Sequence, residues 1–277
     1  MAGPADADGL YFIGNATMVI RYGGFTLLTD PNFLRRGQRA YLGYGLNSRR
    51  LRDPAISIDE LPPLDAVVLS HLHGDHWDRV TTRHLDRHLP IVTTPHASRG
   101  LARRGFGRTR PLRVWQEHEF IRQGRSVRIT AMPGRHGFGL AGRLLPPVMG
   151  SMLEFGPAGG GTELRMYISG DTLMYDELKE IPRRYPDIDL GVVHLGGARL
   201  LGLSMVTMDA RQGADWTELI RCRRVVPVHY DDYTVFTSGL PDYEAEARDR
   251  GFTDRLRTIG RGARMSFGDF ARTTTQR

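Results

Sequence analysis

The chain has 277 residues, 40% of them apolar, with a formal charge of +7 from 38 basic and 31 acidic side chains. That length suffices for one sizeable core, and no apolar run approaches the roughly 18 residues of a membrane span, so stable membrane insertion is not expected. Cys222 is the only cysteine, which excludes an intrachain disulfide and a thiolate-rich zinc site. Lys179 is the only lysine. The arginine-dominated charge forms neither a basic tail nor an aromatic-interleaved stripe, so nucleic acid is not an expected partner.

The opening, MAGPADADGL, lacks the basic-then-apolar order of a secretory signal, which predicts a cytoplasmic protein. LYFIGNATMVIRYGGFTLLTD reads as two or three short strands, with a hairpin turn at RYGGF, where paired glycines allow positive φ. After Asp30-Pro31 comes a long irregular stretch, 32–63, with six arginines between Arg35 and Arg52. Its length suits a lid. DAVVLS (65–70) is a short buried strand; a helix is expected over 79–89, a strand at IVTTP, and a short helix over 98–104 ending at Gly105. SVRITAMPGRHG runs from strand into loop. GSMLEFG and LRMYISGD form a strand pair across the turn PAGGGTE, followed by a helix around 173–180 and the strand LGVVHL. Asp209 can cap a helix over 210–221, with Gln212 at the capping-box position. The strand RVVPVHY, a helix near 242–250 and a final strand pair complete the chain. This rhythm of antiparallel groups with interspersed helices predicts an α/β (α+β) fold, a four-layer αββα sandwich in one domain spanning 1–277. A doubly wound parallel sheet fits less well, because the N-terminal hairpins lack crossover helices.

The strand 65–70 delivers LSHLHGDHWD, which packs His71, His73, Asp75 and His76 into six positions. His71 and His73 are two apart at a strand end, so both rings can point the same way. Asp75 and His76 follow where the chain turns. Further His and Asp residues stand in matching settings: His136 after VRITAMPGR, Asp171 after LRMYISG, and His229 at the end of RVVPV. Strand ends on one edge of a sandwich converge, so these residues can meet. Imidazole and carboxylate suit Zn²⁺ and equally Mn²⁺ or Fe.

At this point the chain resembles the metallo-β-lactamase-fold hydrolases. HLHGDH matches their HxHxDH signature, and GRHG, SGDT and VPVHYDD are similar to the later motifs in the expected order. The opening GNATMVIRYGGFTLLTDP narrows the resemblance to the branch with ascorbate-6-phosphate lactonase and N-acyl-phosphatidylethanolamine phospholipase D. The resemblance implies two divalent transition-metal ions, with zinc the first choice. One takes His71, His73 and His136; the other takes Asp75, His76 and His229; Asp171 bridges them. Asp30 resembles the buried carboxylate that supports the metal loop by holding a ligand histidine in its tautomer. A metal-bridging hydroxide would then cleave a small ester-like bond, a phosphodiester or a lactone or carboxylic ester. A redox or non-hydrolytic enzyme on the same fold, or a ligand-sensing protein, is the alternative.

Asp75, Asp171 and His194 are the candidate catalytic residues. His194, in LGVVHLGG, is read either as a proton donor to the leaving group or as a structural histidine. Among Asp231, Asp232 and Tyr233, one can orient His229. His84 and His88 have metal-pair spacing but sit in a polar, arginine-rich helix, which favours a solvated face. The arginines of 35–52, Arg49 and Arg50 among them, suit either a lid over an anionic or amphipathic small molecule or a solvated loop. The segments 137–150 and 200–208 are apolar for loops. There Phe138, Leu144, Leu145, Met149, Leu203 and Met205 suit a pocket wall, a homo-oligomer interface or ordinary core.

Overall fold

The structure, a computed structural model, describes residues 7–200 and 202–268. In chain order the first half holds strands β1 (Gly9–Gly14), β2 (Thr17–Tyr22) and β3 (Phe25–Thr29), the hairpin β4 (Arg39–Gly43) and β5 (Leu46–Arg49), and strand β6 (Ala66–Leu69). Helix α1 (Arg79–His84), β7 (Ile91–Thr93), α2 (Pro95–Ala102), β8 (Thr109–Pro111), β9 (Glu117–Arg122) and β10 (Arg125–Met132) follow. The second half holds α3 (Gly139–Leu144), β11 (Gly150–Pro157), β12 (Leu164–Ile168), α4 (Glu180–Arg184), β13 (Leu190–His194), β14 (Arg199–Leu200) and β15 (Ser204–Met205). It ends with α5 (Ala210–Ile220), β16 (Arg224–Val228), α6 (Leu240–Asp249) and β17 (Arg264–Ser266).

Two sheets form the middle of the sandwich. One runs β17-β1-β2-β3-β6-β7-β8 and the other β16-β13-β12-β11-β10-β9. Each strand divides its side chains by the two-residue period. On β2, Met18 and Ile20 enter the core between the sheets, while Val19 faces outward. On β6, Ala66 and Val68 turn inward and Val67 and Leu69 outward. The outer face of the first sheet packs on Trp77, Ala97, Leu101 and Phe106 in and around α1 and α2. The outer face of the second packs on Trp216 and Ile220 of α5 and Tyr243 of α6. Helices therefore cover both outer faces, and the architecture is the four-layer αββα sandwich.

Several local expectations are corrected. The helix expected over 79–89 ends at His84, because Leu85 turns extended and buries its side chain in the core. The next helix begins at Pro95 rather than 98, where Thr94 accepts a hydrogen bond from the Ala97 N–H and Pro95 fills the first turn. The stretch 32–63 is not irregular throughout. It contains the β4–β5 hairpin, turned at Tyr44-Gly45 with positive φ at both, and a 3₁₀ turn at Ile58–Glu60. The helix around 173–180 is instead a 3₁₀ turn, Asp176–Lys179, leading into α4. Among the described residues the final strand pair is one strand, β17, which pairs with β1. The rest of the domain expected over 1–277, residues 1–6, 201 and 269–277, lies outside the described residues.

Candidate metal centre

Strand β6 runs parallel to β3, and their ends are tied together before the metal-loving loop begins. Asp30 takes φ 34°, an uncommon conformation that a short polar side chain tolerates. Its backbone N–H donates to Val68 O, and its carboxylate accepts from the Ser70 N–H (2.8 Å) and hydroxyl (3.0 Å). Ser70 Oγ in turn lies 3.0 Å from His71 Nδ1, and Asp30 Oδ2 lies 3.1 Å from His76 Nδ1. One buried carboxylate thus fixes two imidazoles with their Nε2 atoms forward.

The second sheet supplies the opposite wall. His136 follows β10 and donates Nδ1–H to Val206 O at 2.7 Å. His229 follows β16 in the left-handed region, φ 64°; its Nδ1 is 3.2 Å from Leu195 O, and its backbone N–H donates to Asn15 O. Asp171 follows β12. The result is two adjoining donor sets: His71, His73 and His136, then Asp75, His76, Asp171 and His229, all within ligand-sharing distance and all largely withdrawn from solvent. His71 Nε2 and His136 Nε2 lie 3.0 and 3.1 Å from His73 Nδ1. In the second set His76 Nε2 is 3.1 Å from both His229 Nε2 and Asp171 Oδ2, and His229 Nε2 is 3.3 Å from Asp75 Oδ2. Asp171 Oδ2 also approaches His71 Nε2 at 3.9 Å, so it faces both sets.

These residues fit metal ions on three grounds. Four of the five histidines have the far nitrogen committed to a hydroxyl, carboxylate or carbonyl, so the near nitrogens converge as lone pairs rather than hydrogen-bond partners. Their spacing approximates the edge of a tetrahedron with arms of about 2.0–2.1 Å, which is roughly 3.3 Å. Asp75 Oδ1 and Asp171 Oδ1 are buried with no hydrogen-bond partner among the described residues. The electrostatics differ between the sets. Burial and neighbouring imidazoles hold His71 and His136 below the ordinary histidine range and push His73 down to about 3. At His76 and His229 burial acts downward too, but the facing carboxylates, Asp171 foremost, outweigh it and hold both rings up. The second set is thus the more negative surrounding of the two, as suits a cation.

Some expected roles change. His194 is wholly buried behind His76, its ring nearly parallel at 6.1 Å, with Nε2 3.8 Å from Asp30 Oδ2. It is not among the residues that line the cavity above the donors; with Asp30 and His76 it forms a third buried group of potential donor atoms. The hydrogen bonds of the Asp232 carboxylate go elsewhere than to the His229 ring. That carboxylate accepts from the Asn15 N–H at 2.6 Å and pairs with Arg50 and Arg261. Arg50 is fully buried and donates to Asn32 O as well, so it is structural, not a lid cation. Asn15 was unmarked by residue type, yet it links the centre: its side-chain N–H donates to Asp75 O at 2.7 Å, and its carbonyl holds His229. Asp231 is half-buried and pairs with Arg52 and Arg261, and His84 and His88 stay on the surface.

Above the donors lies a cavity of about 200 Å³ onto which His73, Asp75, His136, Asp171 and His229 open. Its walls are mostly apolar: Leu42 and Leu46 from the β4–β5 hairpin, Leu145 after α3, Leu200 of β14, and Val206, Val235 and Phe236. None of the six arginines of 35–52 lines it; the hairpin covers the site with leucines. Of the apolar residues marked in 137–150 and 200–208, Leu145 is a wall, Met149 is core, and Phe138, Leu144 and Leu203 are exposed.

The chain is 24% identical over 249 residues to N-acyl-phosphatidylethanolamine-hydrolyzing phospholipase D 1 of Caenorhabditis elegans, covering 86% of this chain and 67% of that protein. It is 25% identical over 236 residues to a UPF0173 metal-dependent hydrolase of Pyrobaculum aerophilum, covering 84% and 89% respectively. The fold superposes on the isothiocyanate hydrolase from Delia radicum gut bacteria with a TM-score of 0.78 at 22% identity, covering 95% of this chain and 99% of that one. The beta-lactamase superfamily domain model matches residues 26–230, from the strand that carries Asp30 to the histidine that closes the second donor set, and to that superfamily this chain belongs.

Proposed function

We propose that this protein is a metal-dependent hydrolase that holds two divalent ions, zinc the first choice, and cleaves a small ester-like bond, a phosphodiester or a lactone or carboxylic ester, carrying a compact apolar group. The observation that carries the reading is the pair of facing donor sets at the floor of an apolar cavity. When bound, two such ions lower the pKa of water from 15.7 to about 7 and take up negative charge developing on the substrate. The chain's own residues supply the rest. His71, His73 and His136 would hold one ion, Asp75, His76 and His229 the other, and Asp171 would span them. Asp30, Ser70 and the carbonyls of Val206 and Leu195 keep the rings in one tautomer. Asp75, whose Oδ1 has no hydrogen-bond partner among the described residues, would accept a proton from the attacking water and return it to the leaving group. Leu42, Leu46, Val235 and Phe236 would exclude bulk water and bind the apolar group in the cavity of about 200 Å³. Asn47 and Arg199 are its polar lining residues apart from the donors and Thr207.

The test is metal analysis of protein purified without chelator, together with turnover of bis-p-nitrophenyl phosphate, lactones and p-nitrophenyl esters of increasing chain length, with a β-lactam as the contrast. About two transition-metal ions per chain are expected, with turnover of the esters, lactones or phosphodiester and none of the β-lactam. A chain that takes up neither Zn²⁺ nor Mn²⁺, or a loaded protein inert on the whole panel, overturns the reading.

A further inference from the structure

Strand β4 is a wall with two sides. Leu42 faces the apolar cavity over the metal donors, while Arg39 and Tyr41 face a second, larger space of about 560 Å³ on the far side. Five arginines line that cleft: Arg39 from β4, Arg79 and Arg83 from α1, and Arg87 and Arg104 from the loops beyond. All five are exposed, and none forms an ion pair among the described residues, unlike Arg122, Arg125, Arg165 and Arg250, which do. Three are anchored by neutral groups that leave the charge uncompensated. Arg79 donates to Arg39 O, Arg104 to Gly100 O, and Arg87 to Arg104 O and Thr82 O while lying over the Phe106 ring. The one carboxylate lining the cleft is Asp78. It is buried, and its oxygens accept the N–H groups of Phe33, Leu34 and Thr81. Arg79 and Arg83, four apart on one helix face, repel each other by a few tenths of a kcal/mol with nothing between them. Five unneutralised guanidinium groups around one concavity create a positive potential that awaits an anion.

A second observation points the same way. Of the five metal-donor histidines, His73 alone lacks an outer partner. Its Nδ1 turns to the metal centre, its Nε2 has no hydrogen-bond partner among the described residues, and its ring also lines the arginine cleft. An anion oxygen in the cleft can accept from Nε2–H and complete the support the other four rings already have.

We propose that this cleft is an anion site, separate from the metal pocket, for a ligand bearing a phosphomonoester or pyrophosphate group, either a soluble phosphate compound or a lipid headgroup. Planar guanidinium forks match tetrahedral phosphate oxygens in bidentate pairs, and five of them call for more than one negative charge. The arginine cluster stands independently of the hydrolase reading; the His73 contact alone rests on it.

Calorimetric titration of the full chain with pyrophosphate, at low and high salt, tests it. Binding is expected, weakening as salt rises because the arginines are exposed. The double variant R79Q/R83Q should bind about tenfold or more weakly while keeping the wild-type melting temperature. Asp171→Ala, which disrupts the metal donors, should still bind. Cosedimentation with phosphatidylcholine vesicles, with and without phosphatidic acid, whose headgroup is a phosphomonoester, separates the sources. Retention on the anionic vesicles alone, lost in R79Q/R83Q, identifies a headgroup; pyrophosphate binding without vesicle binding identifies a soluble ligand. The proposal is overturned if wild type binds neither probe, if binding survives R79Q/R83Q, or if Asp171→Ala abolishes it.

Discussion

Arg49 and Arg50 are neighbours of one type with opposite fates. Arg49 is exposed, whereas Arg50 is sealed between Asn32 and Asp232 with both ion-pair partners fully buried. Removing one member of a buried pair typically costs about 3–5 kcal/mol. Arg261 still neutralises Asp232, so Arg50→Met should fall near about 3 kcal/mol in urea unfolding, while Arg49→Gln should stay within about 0.5 kcal/mol. Equal small effects would show that the buried network is not stabilising. His194 allows a sharper distinction. As a positioning residue behind Asp30 and His76, its loss in His194→Ala should weaken metal affinity about 10–100-fold. It should also lower turnover by the same factor for esters with good and poor leaving groups. A loss that grows steeply with leaving-group pKa would restore the proton-donor role. What residue type and spacing made legible was the donor list from His71 to His229, since few other uses gather so many imidazoles and carboxylates at strand ends. Asn15, Asp232 and the burial of Arg50 were not legible, because their meaning lies in bonds between segments some 200 residues apart, and a polar side chain carries no mark of where its partner sits.

The β4–β5 hairpin shows the same limit for an element. The core strands announce themselves by apolar runs and alternation, but RAYLGYGLNSR alternates poorly and is largely exposed, so it reads as irregular. Strand β5 is held by Thr234 and Val235, whereas β4 leans directly on the metal loop. The Gly74 N–H donates to Tyr41 O at 3.0 Å, and a Cβ on Gly74 would lie 2.6 Å from both Tyr41 N and O. Gly74→Ala must therefore push β4 away, at a cost of about 1–3 kcal/mol. It should also open the leucine wall, so that substrates with apolar groups lose more kcat/KM than small ones. Truncating the wall itself isolates the apolar term. In the wild type each added methylene that enters the cavity should lower KM roughly fourfold, the equivalent of about 0.8 kcal/mol. In Leu42→Ala/Leu46→Ala that slope should flatten while kcat toward the shortest ester is kept. An unchanged slope would place the acyl group elsewhere.

At the scale of the molecule, the donors come from the ends of strands in both sheets. The loop after β6 supplies His71 to His76, and the segments after β10, β12 and β16 supply His136, Asp171 and His229. The two sheets also share the large central core. Their edges therefore meet at a buried cluster of imidazoles and carboxylates. An ion that binds this folded cluster and not the unfolded chain stabilises it by mass action, by about 2.7 kcal/mol when free metal is a hundred times its dissociation constant. For a domain of this size, about 1 kcal/mol moves the melting temperature by roughly 2–4 °C. Stripping the metals by chelation should then lower it by about 5–10 °C, and adding back Zn²⁺ or Mn²⁺ should restore it. Asp171→Ala should show a reduced response to added metal, because the residue facing both donor sets is gone. Arg79→Gln/Arg83→Gln should show the full response, since those side chains lie on the other side of the β4 wall. A melting temperature indifferent to chelation would mean that the sheet edges hold together without the ions.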